Sequence, residues 1–169
     1  MDPTRRKGKR ARLGNHPPPG AAFVWHTRKM LESEAWRALP LNARRFIDFL
    51  QIEHMSHAGT ENGNLLAPYT QLVSFGLPRS EVSLAIHDAA TLGFVAVRHG
   101  ARLGGRAGAS RYALSWLPLA DGTPAANGWE RITRGDVEAH LEVRRQRLAA
   151  KRHRRATKKH KNVPPGPKY

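Results

Sequence analysis

The sequence predicts a mainly α-helical chain with one small β-hairpin, an α+β fold. Three observations carry that prediction. Apolar residues recur at helical spacing over 41–57 and again over 78–92. Two short runs rich in β-branched and aromatic residues, 94–97 and 111–116, are joined by a glycine-rich connection. A last stretch from about residue 134 has its acids early and its bases late, which suits a helix dipole. At 169 residues the chain is long enough for one domain. Its 40% hydrophobic content supports a modest core flanked by polar segments.

Taken in order, residues 1–20 hold almost no apolar side chains and three consecutive prolines. They read as a basic arm, disordered in isolation. Ser33 is placed to N-cap a short helix through Leu39, and Pro40 opens the next element. In 41–57, Phe46, Ile47 and Leu50 share one face, with Arg44, Arg45, Asp48 and Gln51 opposite, where the arginines read as a solvated face. Gly59 and Asn62-Gly63 mark a turn, residues 65–67 a short extended segment. Residues 70–75 form a short helix stopped by Gly76. Pro78 suits a first helical turn, and a helix of about four turns follows, with Val82, Ala85, Ile86, Ala89 and Leu92 inward and Gly93 closing it. Two strands joined by a loop bearing Gly100, Gly104, Gly105 and Gly108 make a hairpin with a long tip. Thr133 and Asp136 resemble a capping box at the head of a helix over 134–161, with Val137, Leu141 and Leu148 as a thin apolar seam. Residues 162–169 are a loose tail. The chain thus divides into arm 1–20, domain 21–133, basic helix 134–161 and tail 162–169. Two helices joined by a tight glycine-containing turn and followed by a hairpin are the order of a winged helix-turn-helix.

Composition narrows the chemistry. The absence of cysteine excludes disulfides, thiolate metal sites and thiol nucleophiles, so a metal site would use His and carboxylates alone. No apolar run approaches membrane-spanning length, and the basic N-terminus lacks the apolar core of a secretory signal. A cytoplasmic, nucleoid-associated protein is expected. The net charge of +16 points to a polyanionic partner. That charge is uneven. Residues 1–20 hold six bases against one acid, 131–169 thirteen against three, and 21–130 ten against nine, giving +5, +10 and +1. Four of the ten central bases, Arg98, Arg102, Arg106 and Arg111, fall in the hairpin connection with His99 and no acid. Arginines on such a wing suit phosphate or minor-groove contact.

The second helix of the pair would present Arg79, Ser80, Ser83 and His87 to base edges or phosphates, with Glu81 and Asp88 opposing a phosphate-hugging role. The arms would add Arg5, Arg6, Lys7, Lys9 and Arg10 at one end. At the other they would add Arg144, Arg145, Arg147, Lys151, Arg152, Arg154, Arg155, Lys158 and Lys159. Trp36, Trp116 and Trp129 read as core aromatics, while Trp25 beside the arm is open to either role. His54 and His57 lie three apart but have only Glu53 nearby, so no metal is assigned to them. P-loop, hydrolase-elbow and zincin motifs are missing, and neither an enzymatic role nor a cofactor is expected.

The pieces NARR, EHM-x-H, ENG-x-L and SRY-x-L-x-W within roughly 23–133 resemble a group of small helix-turn-helix proteins of bacterial phages and prophages, often from α-proteobacteria and related to replication-initiator winged helices. The resemblance implies a DNA-binding fold with Arg79, Ser80 and Ser83 on the recognition helix and Arg98 to Arg111 on the wing. The expected partner is double-stranded DNA, with a homodimer as one possible state. An RNA-binding or architectural protein, in which the tails bind and the middle contacts other proteins, is the alternative.

Overall fold

The computed structural model describes residues 20–103 and 106–161, giving the backbone alone for 102, 103, 106, 107 and 155–161. The fold is mainly helical with a small antiparallel sheet. Its elements are α1 (Arg28–Glu32), α2 (Glu34–Ala38), α3 (Leu41–Ser56), α4 (Tyr69–Ser74) and α5 (Val82–Thr91), then strands β1 (Val95–Arg98), β2 (Arg102–Leu103), β3 (Arg106–Ala107) and β4 (Arg111–Leu114), and last α6 (Arg134–Lys161). Residues 1–19, 104–105 and 162–169 lie outside the described residues, and with them the N-terminal arm bases Arg5, Arg6, Lys7, Lys9 and Arg10. No helix among the described residues is long and apolar enough to cross a membrane.

The N-terminal helices are set by local capping. Thr27 accepts from the Met30 N–H and caps α1, which the sequence pattern did not anticipate. Ser33 accepts from the Trp36 N–H and caps α2, as expected. α3 carries the centre of the core on Ala43, Phe46, Ile47 and Leu50, and it packs against α5 through Val82, Ala85 and Ala89. Each large side chain so buried contributes about 1.5–3 kcal/mol relative to exposure. Arg44 and Arg45 are not a solvated face: Arg44 donates to the Trp36 carbonyl at 2.8 Å and stacks on its ring, and Arg45 donates to the Gly76 carbonyl at 3.2 Å. Long planar guanidinium groups can reach carbonyls at and just beyond helix ends, here one that also accepts from the Leu39 N–H and one after the end of α4.

α4 and α5 end in the same way. After α4, Gly76 sits at φ +102°, with Gly76 N–H donating to Val73 and Leu77 N–H to Leu72. After α5, Gly93 sits at φ +77°, with Gly93 N–H donating to Ala90 and Phe94 N–H to Ala89. Each is a Schellman ending with an apolar residue just beyond the glycine, Leu77 or Phe94, and both of these are buried. The two motifs aim the chain into the turn before α5 and into β1. At Gly93 a second constraint adds to the first, because a Cβ would stand 2.5 Å from the Gly128 carbonyl carbon.

β1 pairs with β4 in antiparallel register, Val95 opposite Leu114 and Arg98 opposite Arg111. β2 and β3 continue the hairpin as a two-residue ladder, so the connection expected to be a long loop is partly strand. Leu65 adds one rung to the sheet through a bridge to Tyr112. Behind it, buried Asn62 accepts from the Leu114 N–H at 2.7 Å and donates to the Leu114, Leu117 and Pro118 carbonyls at 3.0 Å. Asn62 lies in a turn as the sequence predicts, and its side chain also ties the end of the hairpin to the α3–α4 connection. Trp116 and Trp129 are in the core and Trp36 packs against it, while Trp25 is exposed and its carbonyl accepts from Trp116 Nε1.

Glycine 93 should be the less replaceable of the two. Gly93→Ala is expected to cost at least about 2 kcal/mol from strain and overlap, and Gly76→Ala about 1–2 kcal/mol from backbone strain alone; nothing lies within 4 Å of a Cβ at Gly76. Urea denaturation of the two variants checks the order. Burial also pushes the His26 and His54 imidazoles below their ordinary range, for His26 against the pull of the Asp48 carboxylate. A histidine with a lowered folded pKa binds more protons unfolded than folded, so its stabilising effect is complete above pH about 6.5 and is lost as pH falls. The urea midpoint is therefore expected to drop between pH 7.5 and 5.5, and His54→Leu to flatten part of that drop.

Candidate nucleic-acid interface

α5 lies between two basic elements. Its inner face meets α3, and Ser83, His87 and Thr91 point away from that core. On one flank the hairpin forms a groove of about 450 Å³ with α5, lined by Tyr69, Ser83, His87, Val97, His99 and Tyr112. The Tyr69 and Ser83 hydroxyls hydrogen-bond at 2.7 Å across α4 and α5. On the other flank runs α6.

α6 begins as the sequence predicted. Asp136 accepts from the Thr133 N–H at 2.9 Å, and Thr133 Oγ1 accepts from the Asp136 N–H at 3.2 Å, a reciprocal cap. The docking side of the helix then departs from the expected apolar seam. Val137 is buried, but Leu141 is exposed. Polar side chains at helical spacing take over: His140, Arg144 and Lys151 all face the body. Arg144 Nε donates to Asp88 Oδ2 at 2.9 Å, and His140 Nε2 lies 3.2 Å from Asp88 Oδ1. Lys151 Nζ donates to Glu81 Oε1 at 2.8 Å and to the Ser80 carbonyl. Burial pushes the His140 imidazole below its ordinary range, opposed by the Asp88 carboxylate and reinforced by His87 and Arg144. We therefore describe His140 at neutral pH as a neutral ring beside a carboxylate that Arg144 compensates.

This docking changes the electrostatics of α5. Glu81 and Asp88, the two acids expected to repel phosphate, are both paired to α6. Arg144 and Lys151, expected among the free bases of an arm, are used in that pairing. Arg145 is exposed and paired with Glu142 at 2.6 Å on α6 itself. Arg147 is exposed and lines a cavity beside His87, and Arg152 and Arg154 are exposed further along. Arg155, Lys158 and Lys159 lie on the helical backbone of α6, with their side chains outside the description.

Two placements on the second helix are corrected. Arg79 and Ser80 precede α5, which starts at Val82. The segment after Pro78 closes a single turn, with the Glu81 N–H donating to the Pro78 carbonyl at 2.7 Å, and the helix proper follows, the Ala85 N–H donating to the Glu81 carbonyl at 2.8 Å. Ser83 and His87 are on α5. On the hairpin, Arg98 and Arg111 stand opposite one another and are exposed, Arg98 donating to Asn64 Oδ1 at 3.1 Å. Arg102 and Arg106 occupy β2 and β3, their side chains outside the description.

No protein-family model, curated protein or solved structure matches this chain.

Removing the Asp88 charge tests the docking of α6. Asp88→Ala leaves the Arg144 guanidinium without its partner and removes the carboxylate beside His140. Breaking a buried pair costs about 3–5 kcal/mol, and partial exposure of Arg144 reduces this to about 2–4 kcal/mol. The expected outcome is a lower urea midpoint together with faster tryptic cleavage after Arg144 and Arg145. An unchanged tryptic pattern would mean that α6 docks without this carboxylate.

Proposed function

We propose that the chain binds double-stranded DNA as a winged helix-turn-helix protein, acting by binding and not by catalysis. In this reading α4 and α5 are the helix pair, α5 enters the major groove, and the β1–β4 hairpin is the wing. The observation that supports it best is the pairing of Glu81, at the head of α5, and Asp88, on α5, with bases of α6. It leaves Ser83, His87 and Thr91 as a polar strip, with Arg98 and Arg111 on one side and Arg147 on the other. Hydroxyl and imidazole groups suit base edges and phosphates, and flanking arginines suit the backbone or the narrow minor groove. The N-terminal arm and the far end of α6 add sequence-independent affinity by counterion release. The resemblance in the sequence favours a regulator or replication initiator of a phage, prophage or plasmid, working at the nucleoid.

Selection of bound duplexes from a random pool, followed by titration at several salt concentrations, tests the proposal. Six to ten phosphate contacts give a log–log salt slope of about −5 to −9. Arg98→Ala with Arg111→Ala is expected to make that slope shallower by about 2, close to 0.9 per lost contact. Ser83→Ala is expected to keep the slope and reduce discrimination between selected and scrambled duplexes. Affinity insensitive to salt would reject the proposal. Equal competition by RNA would favour the RNA-binding or architectural alternative.

A further inference from the structure

The contact between α5 and α6 contains two buried polar atoms without hydrogen-bond partners. Arg144 holds Asp88 Oδ2, but Asp88 Oδ1 accepts no hydrogen bond and His140 Nε2 has no partner in hydrogen-bonding geometry. They face each other at 3.2 Å, on side chains only 1% and 3% exposed. Buried polar atoms are nearly always satisfied, and leaving one open is unfavourable. His87, next to Asp88 on α5, brings a ring nitrogen to the same place: one donor atom from each of His87, Asp88 and His140 lies within 4.8 Å of the other two.

We propose that His87, Asp88 and His140 bind a borderline divalent metal ion of the Zn²⁺ class, which fastens α6 to α5. The donor set selects the class of ion. Two imidazoles and one carboxylate suit zinc and its neighbours, whereas Mg²⁺ and Ca²⁺ require oxygen shells. The spacing fits as well. Ligand atoms about 2.0–2.2 Å from a tetrahedral ion are about 3.3 Å apart, and the Asp88–His140 edge already has that length. His87, half-buried at the surface of α5, completes the triangle by moving its ring inward. Outer partners of the kind metal ligands use are present: Arg144 fixes the far oxygen of the carboxylate, and Thr91 Oγ1 lies 3.4 Å from His87 Nδ1. A fourth position opens onto a cavity of about 360 Å³ bordered by Ile132, Asp136, Val143 and Arg147. The Arg144 charge opposes the ion, so this site binds more weakly than the same three ligands would without it.

The site shares His87 with the polar strip of the DNA-binding proposal but does not rest on that proposal, and it is tested without DNA. The full chain is dialysed against Co²⁺ or Zn²⁺, bound metal is counted, and thermal unfolding is followed with and without Zn²⁺. One ion per chain is expected, with visible absorption from bound Co²⁺ and a Zn²⁺-dependent rise in the unfolding midpoint. His140→Gln should abolish both effects. Because His140 is buried and its variant risks misfolding, His87→Gln at the half-exposed position carries the decision, with folding checked by circular dichroism. It is expected to weaken binding at least tenfold, while His57→Gln on α3 leaves it unchanged. Failure to retain metal, or retention unaffected by His87→Gln, would overturn the proposal.

Discussion

The Asp88 carboxylate, buried where α5 meets α6, is the constraint on which the arrangement around α5 depends. A charge almost wholly removed from water is stable only with compensation. Arg144 provides it with a charge-assisted hydrogen bond, and the His140 ring lies 3.2 Å from the other oxygen. Both come from α6, so burying Asp88 and docking α6 are one event. Lys151 repeats the arrangement about two turns later on Glu81, and together the contacts hold α6 along the flank of α5. This helix packs against α2, buries Val137 and half-buries Leu148, and pairs with α5 through polar side chains.

The other flank of α5 is positioned by backbone geometry. Gly76 and Gly93 take left-handed conformations that end α4 and α5, and the buried residues after them turn the chain inward. Gly93 also lets the backbone at Gly128 approach closely, which brings Trp129 over Phe94 in a stacked pair. Asn62 then holds the base of the hairpin through backbone bonds on both sides of the β4 end. Each wall of the groove between α5 and the hairpin is tied to the core through an interaction of its own.

Folding also sorts the basic residues by use. Arg44 and Arg45 bind carbonyl groups of the core, Arg144 and Lys151 neutralise α5, and Arg145 pairs along its own helix. Arg98, Arg111 and Arg147 remain exposed beside α5. A net charge of +16 therefore overstates the charge available to a polyanion near α5, and the exposed bases there border its polar strip instead of covering it. The same sorting places His87, Asp88 and His140 together, although neither Asp88 nor His87 is near His140 in the chain.

Much of the secondary structure was legible in the sequence because its determinants are local. The Ser33 cap, the α3 periodicity, the glycines after α4 and α5, the Thr133–Asp136 box and the alternation in the strands each act within a few residues. The start of α5 was not legible: Pro78 permits a helix to begin, but the chain first closes a separate turn at Glu81. Nor was the docking side of α6, since His140, Arg144 and Lys151 read as solvated until the α5 acids are set opposite them. The site was legible to the same extent. Ser83, His87 and the hairpin arginines follow from element order and spacing. The neutralisation of Glu81 and Asp88 does not, because it joins residues 56 and 70 positions apart. Sequence alone determined which segments are helix and strand and where charge is concentrated, through local backbone and capping preferences. Tertiary structure alone decided which charges cancel, because burying Asp88 makes pairing with a distant helix the condition for folding.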